Sequence, residues 1–302
     1  MEPNTVARVA ESISVPSQSV ALKAAERKLG AVLIHAGRLR PQDVERIVQL
    51  QRQKGLRFGD AGKDAGLLTQ ADIEFALARQ FDHPYLRRGE SKVSEEVVAA
   101  YEPFSPQVEA LRAVRAQLTL RWLDSEPASK ALAILSAARE EGRSFIAANL
   151  AVVFAQLGAR TLLIDADLRQ PCQHRLFGLD NRAGLSAVLS GRAAAFEALQ
   201  RVAPLPNLSV LPAGALPPSP QDLLARPMFA QLLHQLAAHV DLILLDCPAV
   251  GQTADAQTIA VRAGAALIVV RKDSSRLWRA QGVSDSVTQA KCTIVGAVLN
   301  DF

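Results

Sequence analysis

Short apolar runs recur through the last two thirds of the chain and set its expected architecture. Runs such as LILLD and ALIVV show no alternation of apolar and polar positions, and segments of helical period, such as 221–239, separate them. Continuous apolar runs of this kind are typical of strands buried on both faces of a parallel sheet. The pattern predicts an α/β domain with a doubly wound, mostly parallel sheet and a site at the carboxyl ends of its strands. The expected strands are 131–135, 161–165, 208–211, 241–246, 265–270 and 293–299.

The first third of the chain contains an internal repeat. Lys28 and Gly30 recur as Arg57 and Gly59, and later matches keep the same displacement of 29 residues. A fixed period indicates a duplicated supersecondary unit, here a helical turn, a glycine-containing loop and an amphipathic helix. We therefore expect a flexible arm over 1–22, a small, mainly helical domain over 23–88, a linker over 89–106 and the α/β domain over 107–302.

The stretch 136–144 has the pattern of a phosphate-binding loop. It follows the apolar run at 131–135 and opens a fifteen-residue amphipathic stretch that ends at Gly158. A helix N-terminus directly after a strand offers unpaired backbone N–H groups and a positive dipole end to an anion. Gly142, Arg143, Ser144 and Phe145 are the expected phosphate ligands, with the Ser144 hydroxyl on Mg²⁺.

This loop departs from the G-x-x-x-x-G-K-[ST] pattern at several positions. Ala137 stands at the first glycine position and Arg143 at the lysine position. Arginine can still pair with two phosphate oxygens. Glu140 adds a Cβ atom and a negative charge beside the expected phosphates, which should weaken ATP binding.

Carboxylates follow two of the expected strands. Asp165 and Asp167 come after one apolar run, in Asp-x-Asp-x-Arg-x-Pro, and Asp246 ends another. An aspartate at a strand end is often only a helix cap or a turn residue. Three motifs in this order favour a joint site, in which Ser144, Asp165 and Asp246 hold the metal.

Composition narrows the classes of function. The chain has 302 residues, a formal net charge of +4 and few aromatic residues, and its charges are well mixed, which argues against a nucleic-acid partner. Its three cysteines have no metal-site spacing and favour a reducing, cytoplasmic compartment. No apolar run approaches the ~20 residues that cross a bilayer, so any role at the inner membrane would need a partner that recruits the protein peripherally.

The loop, the Asp165 motif and the Asp246 strand together resemble the bacterial tyrosine kinases of exopolysaccharide synthesis, which belong to the deviant P-loop group with the MinD and ParA ATPases. The resemblance covers roughly 100–302 and is closest to the EpsG-type chain-length-determinant kinases. It implies ATP and Mg²⁺ as cofactors, a membrane polysaccharide co-polymerase as partner and a protein tyrosine as substrate.

The same resemblance implies roles for individual residues. Asp165 would act as base or metal partner, and Asp167 would assist at the metal or take the tyrosine proton, with Arg143 beside them. The implied nucleotide contacts also include Arg169, Asp255, Arg271 and Asn300. The helix that carries Glu109, Arg112 and Arg115 corresponds to the element that the family uses for ring assembly, which implies a homo-oligomer; a solvated helix face with i, i+3 pairs is the alternative.

The repeat resembles the MshE-type N-terminal domain of type II secretion and type IV pilus ATPases, whose tandem motifs bind cyclic di-GMP. The positions implied for that ligand are Lys28, Gly30, Gly37, Arg57, Gly59 and Gly66. The alternative is a helical docking domain whose glycines end helices.

The chain has two tyrosines, Tyr85 and Tyr101, and none follows the last expected strand. We therefore expect the substrate tyrosine to lie on another protein rather than in a C-terminal tyrosine cluster. Two further interpretations stay open: a MinD-like ATPase switch, and a nucleotide-sensing adaptor with a degenerate phosphate loop.

Overall fold

A computed structural model describes residues 28–80, 85–86, 88–125, 130–203, 205–251 and 254–301. Its contacts divide the chain into two units, 1–83 and 84–302. The arm expected at 1–22 lies outside the described residues. Among the helices that are described, none combines the length and the apolar character needed to span a membrane.

The first unit is helical and carries the predicted repeat. Its helices are α1 (Leu29–His35), α2 (Pro41–Lys54), α3 (Phe58–Asp64) and α4 (Gln70–Gln80). The second pair begins 29 residues after the first, as the sequence period requires. Leu33, Ile47 and Ala76 are fully buried, so this small unit has a core of its own.

The glycines of this unit have packing and turn roles. Gly37 and Gly66 follow α1 and α3 with φ of 68° and 65°, the left-handed conformation that commonly ends a helix. A Cβ atom at Gly30 would lie 3.1 Å from Val44 Cγ1, and one at Gly59 would lie 3.0 Å from Ile73 Cδ1. The packing of the helices therefore already explains the glycines that the sequence associated with a ligand.

The described part of the second unit contains a seven-stranded sheet in the order β3-β4-β2-β5-β1-β6-β7. Its neighbours pair in parallel except β3 and β4, which are antiparallel. The doubly wound, mostly parallel prediction is confirmed, with β3 as an additional short strand. The strands are β1 (Ala131–Ser136), β2 (Thr161–Asp165), β3 (Gln200–Arg201), β4 (Leu208–Leu211), β5 (Leu242–Asp246), β6 (Gly264–Arg271) and β7 (Thr293–Asn300).

Helices cover both faces of this sheet. Alternate residues of β1 enter two separate apolar clusters, with Ala133 and Leu135 on one side and Leu132 and Ile134 on the other. The helices are α5 (Val98–Tyr101), α6 (Pro106–Leu118) with a π-helical turn (Thr119–Leu123), α7 (Arg143–Gln156), α8 (Gln173–Leu176), α9 (Leu185–Leu189), α10 (Ala195–Ala198), α11 (Pro220–Ala225), α12 (Pro227–Ala237), α13 (Asp255–Ala263) and α14 (Leu277–Gln289).

The helix after the phosphate loop is not amphipathic, contrary to the prediction. Every residue of α7 from Ile146 to Gln156 is buried. One side of α7 faces the sheet, and α5 and α6 pack against it as well. A helix covered on both sides has no solvated face to carry polar residues.

The residues expected as a linker, 89–106, belong to the second unit. Val97, Ala99 and Ala100 are fully buried, and the Asn149 side chain of α7 accepts a hydrogen bond from the Ala99 N–H at 2.8 Å. The polar composition of this stretch misled the interpretation, because most of its apolar residues are buried in one cluster.

The helix expected over 221–239 is two helices, α11 and α12. They meet at Arg226, whose extended backbone (φ −59°, ψ 145°) precedes Pro227. Proline disfavours a helical conformation of the residue before it, so the break follows from the sequence.

Candidate functional site

The loop between β1 and α7 has the backbone of a phosphate cradle. Gly142 precedes the helix with φ of 88°, which favours glycine, and α7 begins at Arg143. The first turn of this 14-residue helix directs unpaired N–H groups away from the helix, towards the loop. Strand, loop and helix follow one another as the sequence predicts.

Two adjacent glutamates of the loop behave differently. Glu140 is exposed with φ of 62°, a conformation that side-chain-bearing residues rarely adopt. Glu141 is buried, accepts from the Ala138 N–H at 2.8 Å and also accepts from the Ser275 hydroxyl. The sequence pattern pointed only to Glu140. Nothing in that pattern distinguishes Glu141, whose side chain holds the loop, from Glu140, which lines the cavity.

Arg143 turns back into the site. Its guanidinium donates to Ser136 Oγ at 2.9 Å and lies 3.3 Å from Asp246 Oδ1 and 3.5 Å from Asp167 Oδ2. The Arg143 side chain is only 10% exposed. The positive charge at the lysine position therefore balances two of the predicted carboxylates.

The three predicted aspartates meet at the carboxyl ends of β2 and β5, where Asp165 and Asp246 are register partners. Asp165 Oδ2 accepts the N–H groups of Cys172 and Gln173 at 2.9 Å, and Asp165 Oδ1 has no hydrogen-bond partner among the described residues. Asp167 Oδ1 accepts from the Gln170 N–H at 2.9 Å and leaves Oδ2 to Arg143. Asp165 and Asp167 thus each use one oxygen for local backbone N–H groups, as the cap or turn interpretation expects. The other oxygen of Asp167 pairs with Arg143, and the other oxygen of Asp165 is buried without a partner among the described residues.

Burial changes the pKa of groups at the carboxyl ends of β2 and β5. Asp165 is fully buried, and burial together with the negative charge of Asp246 raises its pKa well above the usual range, although two backbone N–H groups oppose the shift. Burial also raises the pKa of the Cys172 thiol, which lies 3.8 Å from Asp246 Oδ2. Cys172 is therefore a protonated thiol rather than a nucleophile.

The donor set fits Mg²⁺ bound with a nucleotide. No group of three His, Cys, Asp or Glu side chains among the described residues forms a ready-made metal cluster. Mg²⁺ usually takes one or two carboxylates and completes its shell with water and phosphate oxygens. Asp246, the unpartnered oxygen of Asp165 and the nearby Ser144 supply hard oxygen ligands of that kind.

A cavity of about 240 Å³ opens beside these groups. The phosphate loop, the start of α7 and the segments after β2 and β5 line this cavity. The lining residues are Arg139, Glu140, Arg143, Ser144, Asp167, Arg169, Gln170, Pro248 and Ala249. The predicted phosphate ligands Arg143 and Ser144 therefore share one cavity with Asp167.

The residues predicted as further nucleotide contacts form hydrogen bonds and an ion pair around the loop. Arg271 at the end of β6 donates to the Glu140 carbonyl at 3.0 Å, and Asn300 at the end of β7 donates to the Glu141 carbonyl at 3.1 Å. Arg169 pairs with the buried Asp255 at 2.7 Å. Contact of these residues with a nucleotide stays a prediction.

The helix predicted for ring assembly makes contacts within the chain. Arg112 pairs with Glu109 at 3.1 Å, the i, i+3 pair of the alternative interpretation. Arg115 donates to the Val153 carbonyl in the last turn of α7 at 2.7 Å. Arg115 thereby ties α6 to the helix that follows the phosphate loop.

In the first unit, the predicted cyclic di-GMP residues are only partly brought together. Arg57 and Gly59 line a cavity of about 300 Å³ with Leu29, Phe58, Asp60, Lys63, Gln70, Ile73 and Leu77. Lys28, Gly30, Gly37 and Gly66 are not among its lining residues.

The geometry defines a class of protein: a P-loop nucleotide-binding fold with carboxylates after two neighbouring strands. A family model described as cellulose biosynthesis protein BcsQ matches residues 130–285. The structure of the septum site-determining protein MinD from Pyrococcus horikoshii, complexed with Mg-ADP, aligns with a TM-score of 0.50 and 27% identity, covering 56% of this chain and 69% of that chain.

Two further matches are more specific. The tyrosine-protein kinase YwqD of Bacillus subtilis (strain 168) is 34% identical over 210 residues, which cover 70% of this chain and 87% of the relative. The kinase domain of the Escherichia coli tyrosine kinase ETK aligns with a TM-score of 0.67 and 31% identity over 73% of this chain and 85% of that domain. The chain therefore belongs to the bacterial tyrosine kinases, as its motifs predicted.

Proposed function

We propose that this kinase uses ATP and Mg²⁺ to phosphorylate protein tyrosines, and that it thereby regulates the polymerisation, export and chain length of an exopolysaccharide. Its partner in this proposal is a membrane co-polymerase that recruits it peripherally from the cytoplasm. The observation that carries the proposal is the meeting of Asp165, Asp167 and Asp246 with Arg143 beside one cavity.

The side chains have complementary tasks in phosphoryl transfer. Bound Mg²⁺-ATP would supply the γ-phosphoryl group and neutralise its charge. Ser144 and Asp246 would hold the metal, with Asp165 behind them. Arg143 and the N–H groups from Gly142 to Phe145 would hold the phosphates, and Arg143 would exchange its carboxylate partners for phosphate oxygens.

Asp165 and Asp167 differ in their access to the cavity. Asp167 lines the cavity with a side chain that is 11% exposed, whereas Asp165 is completely buried. A proton acceptor must come within hydrogen-bond reach of the tyrosine hydroxyl. We therefore assign proton acceptance to Asp167 and support of the metal to Asp165.

The substrate tyrosine lies on another protein in this proposal. Tyr101 is buried, and its hydroxyl donates to the Val93 carbonyl. Burial also raises the pKa of this hydroxyl, which makes it a poorer nucleophile. Tyr85, the other tyrosine, is half-buried.

A transfer assay tests the kinase proposal. The purified chain is incubated with γ-labelled ATP, Mg²⁺ and a random glutamate–tyrosine copolymer, and labelled phosphotyrosine is measured. We expect transfer by the wild type and its loss in Asp165→Asn. Asp241→Asn is the matched control, because Asp241 precedes β5 at the opposite end of the strand and pairs with Arg160. Release of free phosphate without any labelled tyrosine would contradict the proposal.

That last outcome would favour the second candidate, an ATPase switch. The alignment with MinD supports this candidate at the level of the fold. A switch would hydrolyse ATP at a rate that depends on Asp246 without labelling a protein, so the same assay separates the two functions.

The first unit is a candidate cyclic di-GMP sensor, supported by the position of Arg57 and Gly59 at its cavity. We expect the double variant Lys28→Ala and Arg57→Ala to lose cyclic di-GMP binding in equilibrium dialysis. Undiminished binding would exclude this assignment of the repeat.

Self-association through α6 is also part of the proposal. The Glu109 side chain is 72% exposed and so is available to a neighbouring copy. Light scattering should show a smaller mass for Glu109→Ala with Arg112→Ala than for the wild type, and an equal mass would argue that these residues serve only their own helix.

A further inference from the structure

Gln173 contacts the phosphate loop helix, the Asp165 motif and the Asp246 strand, although the sequence did not predict it as a site residue. It is fully buried at the start of α8. Its backbone N–H donates to Asp165 Oδ2 at 2.9 Å. Its side-chain amide donates to Asp246 Oδ2 at 2.7 Å and to the Ser144 carbonyl at 3.1 Å.

The orientation of this amide follows from its neighbours. An amide nitrogen has two N–H donors, and both find acceptors here: a carboxylate oxygen and a backbone carbonyl. The reversed orientation would place the amide oxygen against two acceptors and remove the N–H that each receives from Gln173. In the observed orientation, Gln173 Oε1 has no hydrogen-bond partner among the described residues.

The two oxygens of Asp246 therefore have different partners. Oδ2 is held by Gln173, while Oδ1 faces the Arg143 guanidinium at 3.3 Å. A carboxylate fixed through one oxygen keeps the other in a defined direction, and such support commonly tunes metal affinity. The same amide binds the Ser144 carbonyl, so it also fixes the first turn of α7 relative to Asp246.

We propose that Gln173 is a positioning residue for the metal: it fixes the Asp246 carboxylate and the Ser144 backbone so that Asp246 Oδ1 and the Ser144 hydroxyl face the same ion. This inference rests on the proposed binding of Mg²⁺ with a nucleotide. Gln173 is not among the residues that line the cavity, so in this proposal it acts on the metal only through Asp246 and Ser144. Its effect should therefore appear in the coupling between metal and nucleotide rather than in nucleotide binding alone.

Calorimetric titration of ADP, with Mg²⁺ and with EDTA, measures that coupling without relying on turnover. In Gln173→Met, which keeps the length of the side chain and removes its donors, we expect the gain in ADP affinity from Mg²⁺ to fall about tenfold. The ADP affinity in EDTA should stay within about twofold of the wild type. Gln173→Asn keeps the amide but is too short to reach both acceptors. It should therefore show the same fall in the gain of ADP affinity from Mg²⁺, although it changes the side chain less.

Gln156→Met is the matched control. Gln156 is also a buried glutamine, and its amide donates to the Ala99 carbonyl at 2.9 Å, away from the aspartates. We expect this variant to lose stability but to keep the full effect of Mg²⁺. An unchanged effect of Mg²⁺ in both Gln173 variants would overturn the assignment while leaving the proposed function intact. Absence of ADP binding by the wild type would instead overturn the proposed function, and this inference with it.

Discussion

Arg143 provides the counter-charge for two carboxylates at the edge of the sheet. Asp246 is fully buried and Asp167 nearly so, and both lie within 3.5 Å of the guanidinium. Removing one partner of a buried ion pair leaves the other charge uncompensated, which is more costly than never having the pair. Asp246 is also a proposed metal ligand, so the metal and the arginine should substitute for one another beside it.

The variant Arg143→Ala should therefore lose about 3 kcal/mol of unfolding free energy in EDTA. Mg²⁺ should recover part of that loss, since it can neutralise the carboxylates that have lost their counter-charge. Thermal unfolding with and without Mg²⁺ measures both effects, and Arg160→Ala, which breaks an exposed pair with Asp241, is the control. An equal shift by Mg²⁺ in the wild type and in Arg143→Ala would contradict this view of the charge balance.

Glu140 combines an unfavourable backbone conformation with a negative charge beside the cavity. In Glu140→Gly, the left-handed conformation becomes favourable and the charge is removed, so ADP should bind about tenfold more tightly. Glu140→Gln removes the charge alone and should give part of the gain. Lys291→Gly relieves a similar conformation (φ 64°) away from the site and should leave the affinity unchanged. Calorimetry that gave equal affinities for all four proteins would show that Glu140 does not limit binding.

The sequence was a good guide to single residues where a motif fixed them, and a poor guide where burial decided their role. Asp165, Asp167, Asp246 and Arg143 meet as their order along the chain predicted. Gln173 was missed, because a glutamine two positions after a proline carries no pattern of its own. Its role depends on which side chains the fold places around it.

At the scale of elements, the helix after the phosphate loop is held from both sides. Asn149 of α7 is fully buried and accepts from the Ala99 N–H, while its amide donates to the Glu96 carbonyl at 3.3 Å and the Phe145 carbonyl at 3.0 Å. These bonds attach the segment 85–106 to the helix that begins at Arg143. The segment is thus part of the support of the site rather than a linker.

Replacing Asn149 with alanine should leave the Ala99 N–H buried without an acceptor and lower the unfolding free energy by about 2 kcal/mol. Urea denaturation followed by circular dichroism measures the change. Asn207→Ala removes one longer, half-buried bond to the Ala155 carbonyl and should cost less than about 1 kcal/mol. If the two variants were equally stable, the attachment of 85–106 would not depend on Asn149.

Element boundaries followed from the sequence where local rules dominate. The 29-residue repeat, the strands and the start of α7 at Arg143 lie close to their expected positions. The burial of α7 could not be read locally, because the elements that cover it come from a stretch of polar composition. The burial of α7 follows from tertiary packing rather than from its local sequence.

At the scale of the whole molecule, the two units have separate cores. The apolar clusters of the second unit contain no residue before Leu86 among those described, and the aspartates, Arg143 and their cavity all belong to that unit. The sheet and the site therefore concern residues 84–302, whereas any ligand of the first unit is a separate question. The central claim is that Mg²⁺ and a nucleotide bind together at the carboxyl ends of β2 and β5.

Titration of the full chain with Mg²⁺-ADP in a calorimeter, beside Asp246→Asn and Asp241→Asn, tests that claim most directly. We predict micromolar binding (roughly −8 kcal/mol) by the wild type and by Asp241→Asn, and affinity at least about tenfold weaker in Asp246→Asn. No heat of binding from the wild type, or equal affinity in all three proteins, would contradict the account.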